Sequence, residues 1–529
     1  MEQKERPEMA APAWAGLKFE SPLTRLHELA DRYAEAHEGV EAIADERYAL
    51  TGPAFADAVR AAGQSLRDQG VRPGDRILLI NENCVAAATA ILAASAAGAW
   101  VAPVNARHTA AELEAIKEHY QPHLTLYTVE ASPSAQAHAR ASRAREIAFG
   151  GAGAIAACPG GGGVADEHPD SGDPEVAVVI YTSGTTGTPK GVMLTHRNLL
   201  FNAWTSGVAR GFTSRDRVYG LLPVSHVFGL GSVLMGALYH QARLLMTARF
   251  DVARTAHAFA QEGISVLNAV PTVFTRLVEH AAARGGVLPA PHLRYISAGG
   301  GPLNPTLKRE VEALLKLPLH NGYGLSETSP TALITQIENP AADTSVGVPV
   351  PQVEVRIVDP VLLQPVPRGE TGELWLRGPN VMKGYYRDRA LSARTLLEGG
   401  WLRTGDLARV GEGGQYYIVD RMKEVIIRSG FNVYPAEVEA ALKAHPAVVQ
   451  CAVVGVESGE SETIVAFVEP RPGASLSAEE MEAHMRGRLA PYKQPGRYVF
   501  MDELPTVPTG KIRRAALREL ARKQAALEE

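Results

Sequence analysis

Cysteine is scarce in this chain of 529 residues: there are three, Cys84, Cys158 and Cys451. They are too few and too scattered for a disulfide framework or a cysteine-built zinc site, which fits a reducing, cytoplasmic compartment. An excess of one charge is also missing. Lys plus Arg is 53 against 58 for Asp plus Glu, a net charge of −5. That balance excludes a general attraction to nucleic acid or to an anionic membrane. No secretory leader is expected, because residues 1–16 carry Glu2, Lys4, Glu5, Arg6 and Glu8 instead of a basic start and an apolar run. Two uncharged stretches are long enough to test as membrane spans. Residues 84–104 are mostly alanine and contain Pro103, which predicts a buried helix followed by a short strand over 100–104. Residues 218–241 contain Pro223, Ser225, His226 and Gly229, which predicts a strand, a loop and a helix. No transmembrane segment is expected.

What is present is globular. Apolar residues make up 46% and charged residues 21%, so disordered, collagen-like and coiled-coil classes are out. The length suits one large and one small domain, or three modest ones. From about residue 19 to 127, helical patterns alternate with short β-rich runs such as 76–80, which predicts a parallel sheet with crossover helices. Residues 150–163, rich in Gly and Ala, read as a flexible surface connection. Residues 176–181 read as a buried strand, and α/β alternation resumes to about 324. Runs at 353–358, 372–377 and 415–419 predict a smaller β-rich section. The charged segment Arg421-Met422-Lys423-Glu424 then suggests a domain boundary, dividing residues 1–420 from 421–529.

The strongest local signal is Tyr181-Thr182-Ser183-Gly184-Thr185-Thr186-Gly187-Thr188-Pro189-Lys190-Gly191. A strand precedes it, and a helix is expected to start near Thr195, a good N-cap residue. Hydroxyls and glycine amides can wrap a polyphosphate, because glycine lets the backbone approach closely, and Lys190 adds positive charge. The segment is not the common G-x-x-x-x-G-K-[ST] loop, since Gly191 follows Lys190. The plain alternative is a hydroxyl-rich surface loop.

This loop resembles the phosphate-binding loop of the adenylate-forming superfamily: acyl-CoA synthetases, adenylation domains and luciferases. Other segments match in order. They are Leu222-Pro223-Val224-Ser225-His226, Ser297-Ala298-Gly299-Gly300-Gly301-Pro302-Leu303, Asn321-Gly322-Tyr323-Gly324-Leu325-Ser326-Glu327, and Gly372-Glu373-Leu374 with Gly384-Tyr385-Tyr386. Trp401-Leu402-Arg403-Thr404-Gly405-Asp406, Asp420-Arg421-Met422-Lys423-Glu424 and Pro508-Thr509-Gly510-Lys511-Ile512 complete the set. The match spans roughly residues 25–525.

The resemblance implies an α/β fold: a large N-terminal α/β domain with parallel sheets and a small β-rich section, plus a small mobile C-terminal α+β domain. It implies that a carboxylate attacks the α-phosphate of ATP and that a thiol then attacks the acyl adenylate. Thr182, Ser183, Gly184, Thr185, Thr186, Gly187 and Lys190 would hold phosphates. Gly300, Gly322, Tyr323, Gly324 and Ser326 would form the nucleotide pocket, with Tyr323 against adenine and Ser326 at the α-phosphate. Asp406 would bind ribose, Arg421 ribose or phosphate, and Glu327 Mg²⁺. Lys511 would bridge the acid and the phosphates, and Lys423 would be the hinge. His226 would stand at the acid's carboxylate or gate the thiol tunnel. Taken alone, Glu327, Asp406 or Arg421 would read as a surface charge, His226 as a core histidine and Lys511 as the start of a solvated helix.

The same resemblance bears on the substrates. Amino-acid-activating relatives carry an aspartate where this chain has Val227, and acetate-activating relatives a tryptophan where it has Gly324. With His226, Phe228, Gly229, Gly299, Gly301 and Gly324 around the acid, the expected substrate is apolar and larger than propionate, either aromatic or fatty. The glycines at 299, 300, 301, 322 and 324 predict a long or wide cavity. Ser429, Gly430 and Phe431 lie in a segment resembling the one that meets the CoA arm. Plant hydroxycinnamate ligases have a lysine past the hinge where this chain has Ile427, beside Arg428. The leading reading is an AMP-forming acid–CoA ligase using ATP, Mg²⁺ and CoA. The alternatives are an enzyme loading a separate carrier protein, a luciferase-like monooxygenase and a non-catalytic nucleotide binder. None of these features sets an oligomeric state.

Overall fold

The computed structural model describes residues 12–36, 39–160, 175–182, 189–428, 431–458, 461–471, 473–506 and 512–528. The predicted alternation builds an eight-stranded sheet. At its centre Arg76–Asn81 runs parallel to Trp100–Asn105 and to Leu124–Tyr127. The helix Val85–Ala96 links the first two of these strands and carries no charge. Its side chains are buried all round, as expected of a helix inside a core. At ~1.5 Å per residue it is far short of a bilayer. No described helix is long and apolar enough to cross a membrane.

A nine-stranded sheet packs nearby. Its strands Val266–Ala269, Tyr295–Ala298 and Leu319–Gly324 are parallel neighbours. Helices Pro271–Ala282 and Pro305–Leu315 make the crossovers, each with proline in its first turn. The carboxyl ends of these strands lead into the segments around Gly299 and Gly324, where parallel sheets place ligands. The β-rich section is an antiparallel sheet that includes Glu354–Val358, Gly372–Arg377, Trp401–Val410 and Tyr416–Arg421. A separate small C-terminal domain follows. Its two apolar clusters draw only on residues from Ile426 to Ala521, around the sheet of Val448–Ser458, Ser461–Pro470 and Arg497–Phe500.

Two local readings change. Within the stretch taken as a flexible connection, Ile155–Pro159 is a strand paired antiparallel with Leu124–Tyr127, and Ala152 and Ile155 are fully buried. Small residues there serve close packing. The second change is a strand, Lys190–Thr195, between the glycine-rich loop and the next helix. The helix does begin at His196, with Thr195 as N-cap in a reciprocal capping box with Asn198.

Candidate active site

The glycine-rich loop closes a hairpin. Val176–Thr182 and Lys190–Thr195 pair antiparallel, with Thr182 opposite Lys190. Ser183, Gly184, Thr185, Thr186, Gly187 and Thr188 lie outside the described residues. The stem is fixed by burial of Val178, Val179, Val192 and Leu194. The strand Lys190–Thr195 thus stands in the chain between residues 183–188 and the helix N-terminus.

The strand Lys190–Thr195 also carries Gly384–Tyr385 on its other edge. From there the Tyr385 hydroxyl donates to Glu327 Oε1 at 2.7 Å. Burial, and then the Glu327 charge, push the Tyr385 phenol far up, so it stays a donor. Glu327 is thereby held beside the loop stem. Its second oxygen, with phosphate and water, suits a hard cation such as Mg²⁺, which needs one or two protein carboxylates.

Tyr323, at the end of its strand, donates to Asp406 Oδ2 at 2.6 Å. Asp406 Oδ1 lies 3.1 Å from Arg421 Nε. The two acidic and basic residues are opposite each other in the ladder between Trp401–Val410 and Tyr416–Arg421. Lys423 follows in a single 3₁₀ turn, Met422–Glu424. Burial lowers the Lys423 ammonium from the usual lysine value, and the charges of Arg421 and, more weakly, Lys190 push the same way. The predicted nucleotide residues Lys190, Tyr323, Asp406 and Arg421 and the expected hinge residue Lys423 thus lie near one another.

His226 lies in the loop after the strand Arg217–Gly220. Its Nδ1 accepts from the Phe228 amide at 3.3 Å, which in the neutral ring places the proton on Nε2. A helix of wide, π-type turns, Phe228–Met235, follows; such turns recur at functional sites. Phe228 forms one wall of a cavity of about 30 Å³, with Arg210, Gly299, Tyr323, Gly324 and Thr331 among its other lining residues. Among the described residues these glycines line this small cavity and not the long or wide one expected. A Cβ on Gly299 would lie 3.0 Å from the Phe228 ring, and one on Gly324 would lie 1.7 Å from the Pro330 carbonyl oxygen. Gly229 likewise faces the Leu222 and Pro223 carbonyls. These glycines admit neighbouring backbone and an aromatic ring, so the space they save is already used.

In the C-terminal domain, Lys511 lies outside the described residues. Its loop is closed by a bridge between Thr506 and Ile512. Arg514, the first residue of the helix Arg514–Glu528, pairs with Glu439 at 2.7 Å. Ser429 and Gly430 also lie outside the described residues, between strands Ile426–Arg428 and Phe431–Val433. Phe431 is more than half exposed and stacks on Tyr492 with ring centres 4.7 Å apart. Sequence reasoning missed Tyr385 as the anchor of Glu327, although it quoted the segment. It also missed Arg210, for which the sequence holds no signal beyond a helix end.

Residues 30–386 match the family model described as AMP-binding enzyme, and residues 437–511 match the AMP-binding enzyme C-terminal domain. The chain belongs to the AMP-binding enzyme family. It is similar to a feruloyl-CoA synthase from Amycolatopsis sp, with 35% identity over 477 residues, covering 89% of this chain and 94% of that one. It is 37% identical to a long-chain-fatty-acid–CoA ligase from Bacillus subtilis over 355 residues, covering 66% of this chain and 62% of that one. Its fold matches the o-succinylbenzoate–CoA synthetase from Bacillus subtilis in complex with ATP and magnesium ion, with TM-score 0.77, 27% identity and coverage of 93% and 98%. The protein is thus an AMP-forming acid–CoA ligase of the adenylate-forming superfamily, with ATP, CoA and a carboxylic acid as its substrates.

Proposed function

We propose that this ligase activates an acid with an apolar body, aromatic or fatty, and passes the acyl group to CoA. The observation that carries the reading is the chain of contacts from the loop stem through Tyr385 to Glu327, and from Tyr323 through Asp406 to Arg421. It ends at the cavity walled by Phe228. In the first step a carboxylate oxygen of the acid bonds to the α-phosphorus of ATP, and the bond to pyrophosphate breaks. Asp406 accepts from ribose hydroxyls and Arg421 bonds ribose or phosphate oxygen. The tip of the hairpin holds the phosphates, with Lys190 at its base. Glu327 would hold a magnesium ion, which when bound neutralises phosphate charge. In the second step the CoA thiol, deprotonated, attacks the acyl carbon and AMP leaves. The resemblance assigns Lys511 to the first step, where a fixed cation offsets accumulating negative charge. We assign residues 1–420 to the catalytic body and 421–529 to a lid that turns at Lys423, presenting Phe431 and its neighbours to CoA in the second step. The three free cysteines suit a cytoplasmic setting.

The test is a panel of aromatic and fatty acids with ATP, Mg²⁺ and CoA, followed by pyrophosphate release and product analysis. AMP, pyrophosphate and an acyl-CoA are expected. ADP and phosphate as products would overturn the proposal.

A further inference from the structure

The cavity walled by Phe228 is also lined by a buried cation, Arg210, that has no counter-charge among the described residues. Arg210 is the last residue of the helix His196–Arg210 and is only 3% exposed. Its guanidinium donates to Thr331 Oγ1 at 2.8 Å and to Ser206 Oγ at 3.4 Å. Its Nε has no acceptor. No carboxylate among the described residues pairs with it, and burial works against its charge. A helix C-terminus favours a cation, but among the described residues the two hydroxyls are the only acceptors these donors reach.

The polar groups around Arg210 are also short of acceptors. Ser232 bridges Thr331 and Asn202 Oδ1, and Ser297, on the cavity wall, donates to Asn268 Oδ1 at 2.6 Å. Among the described residues the amide nitrogens of Asn202 and Asn268 have no partner. A buried donor left without an acceptor is costly, and more so if it is charged. A core that merely stabilised the fold would place a carboxylate or an apolar side chain opposite Arg210. A binding site would leave that place to its ligand.

We propose that the acid carries a second carboxylate, at the end remote from the reacting carboxyl, and that Arg210 receives it at the cavity floor. The proposal rests on the acid–CoA ligase reading and narrows its substrate class to acids with an apolar middle and an anionic far end. Thr331 and Ser297 supply neutral hydrogen bonds beside the cation, and Phe228 covers the apolar middle. A methyl-ended acid would leave the guanidinium buried and unpaired, so the site discriminates by what it leaves unsatisfied.

Two measurements on the full chain test it. In the first, the melting temperature of the parent and of Arg210→Met is followed with succinate, glutarate and adipate, and with butyrate, pentanoate and hexanoate. Matched ω-hydroxy acids form a third series. A larger upward shift with a diacid than with its monoacid and hydroxy acid, lost in Arg210→Met, is expected. Equal or absent shifts in the parent, a hydroxy acid as effective as the diacid, or a preference kept by the variant would each overturn the proposal. Comparing the ligand-free melting curves of the two proteins separates a folding defect from a lost ligand. The second measurement is pyrophosphate release from the same acids, where the diacid should exceed its monoacid by about tenfold or more in kcat/KM. If the diacid raises the melting temperature while no acid releases pyrophosphate, the ligase reading fails and the anion site stands.

Discussion

Replacing Asp406 by asparagine tests the nucleotide assignment, because the change keeps the shape and removes the charge. Asp406 is buried between the Tyr323 hydroxyl at 2.6 Å and the Arg421 guanidinium at 3.1 Å. An asparagine oxygen can still accept from Tyr323, so that bond survives in weaker form. Arg421 is half exposed, and an ion pair of that kind contributes only ~0–1 kcal/mol. The cost to folding should therefore be small. The cost to ATP binding should not. A hydrogen bond to a charged acceptor is worth ~1.5–3 kcal/mol, against ~0.5–1.5 for a neutral one. Two ribose hydroxyls would thus lose ~2–3 kcal/mol, or roughly 30- to 150-fold in kcat/KM for ATP. The assay is pyrophosphate release against ATP concentration at saturating acid, run beside a melting curve. A second arm compares ATP with dATP: the parent should prefer ATP, and Asp406→Asn should discriminate less. A folded variant whose ATP dependence stays within about threefold of the parent, with discrimination unchanged, would refute the ribose assignment.

Three further outcomes follow from the site. Tyr385→Phe removes the donor that holds Glu327 at 2.7 Å, so the magnesium titration should shift to higher concentration by ~5- to 20-fold; an unchanged titration would place the metal elsewhere. Lys511→Ala should slow adenylation far more than thioester formation from supplied acyl adenylate, and equal losses in both half-reactions would remove Lys511 from the first step. Lys423→Pro, which fixes φ near the value a 3₁₀ turn already uses, should leave acyl-AMP formation near normal and slow transfer to CoA in single-turnover assays. Transfer as fast as in the parent would move the hinge away from Lys423.

The fold was most legible where pattern and environment agree. The strand Gly372–Arg377 has the expected bounds, because turn-forming residues flank an apolar run whose burial alternates little. The cap at Thr195 was readable because its chemistry is local. The strand Lys190–Thr195 was not, since it is short, abuts the glycine-rich loop and is paired on both edges, so it shows no alternation. Glycine misled twice for one reason: composition says that backbone can approach closely but not what approaches. Around Gly324 it is the Pro330 carbonyl, and around Gly299 it is the Phe228 ring, so an expected channel became a small cavity. Motif order brought together Tyr323, Asp406, Arg421 and Lys423, which the sequence separates by up to a hundred residues. Arg210 stayed invisible because an arginine ending a helix is normally solvated, and only the packing of that helix against Thr331 buries it.

The two half-reactions require one carbonyl to meet different partners in turn, and the contacts across the proposed hinge bear on how freely the proposed lid can turn. The apolar clusters of the two domains share no residue. Polar ties do cross. Asp420 Oδ2 accepts from the Ala436 amide at 2.9 Å, so a carboxylate before the hinge caps the helix Pro435–Lys443 beyond it. Arg276 reaches Glu469 at 3.0 Å, and Arg471 lies 3.7 Å from Glu310. A cap is worth ~1 kcal/mol and a partly exposed pair less, so these ties together hold this pose by only a few kcal/mol. The proposed turn at Lys423 has to break them, because Asp420, Arg276 and Glu310 precede that residue and their partners follow it. The charges at the proposed pivot are mixed: Arg421 and Lys190 push the Lys423 ammonium down, while Glu424 and Asp406 push it up. In the proposed reaction ATP brings a polyanion to these residues. Once pyrophosphate has left, most of the compensating charge is gone, and a tie of this size can be outweighed by what CoA gains in the other pose.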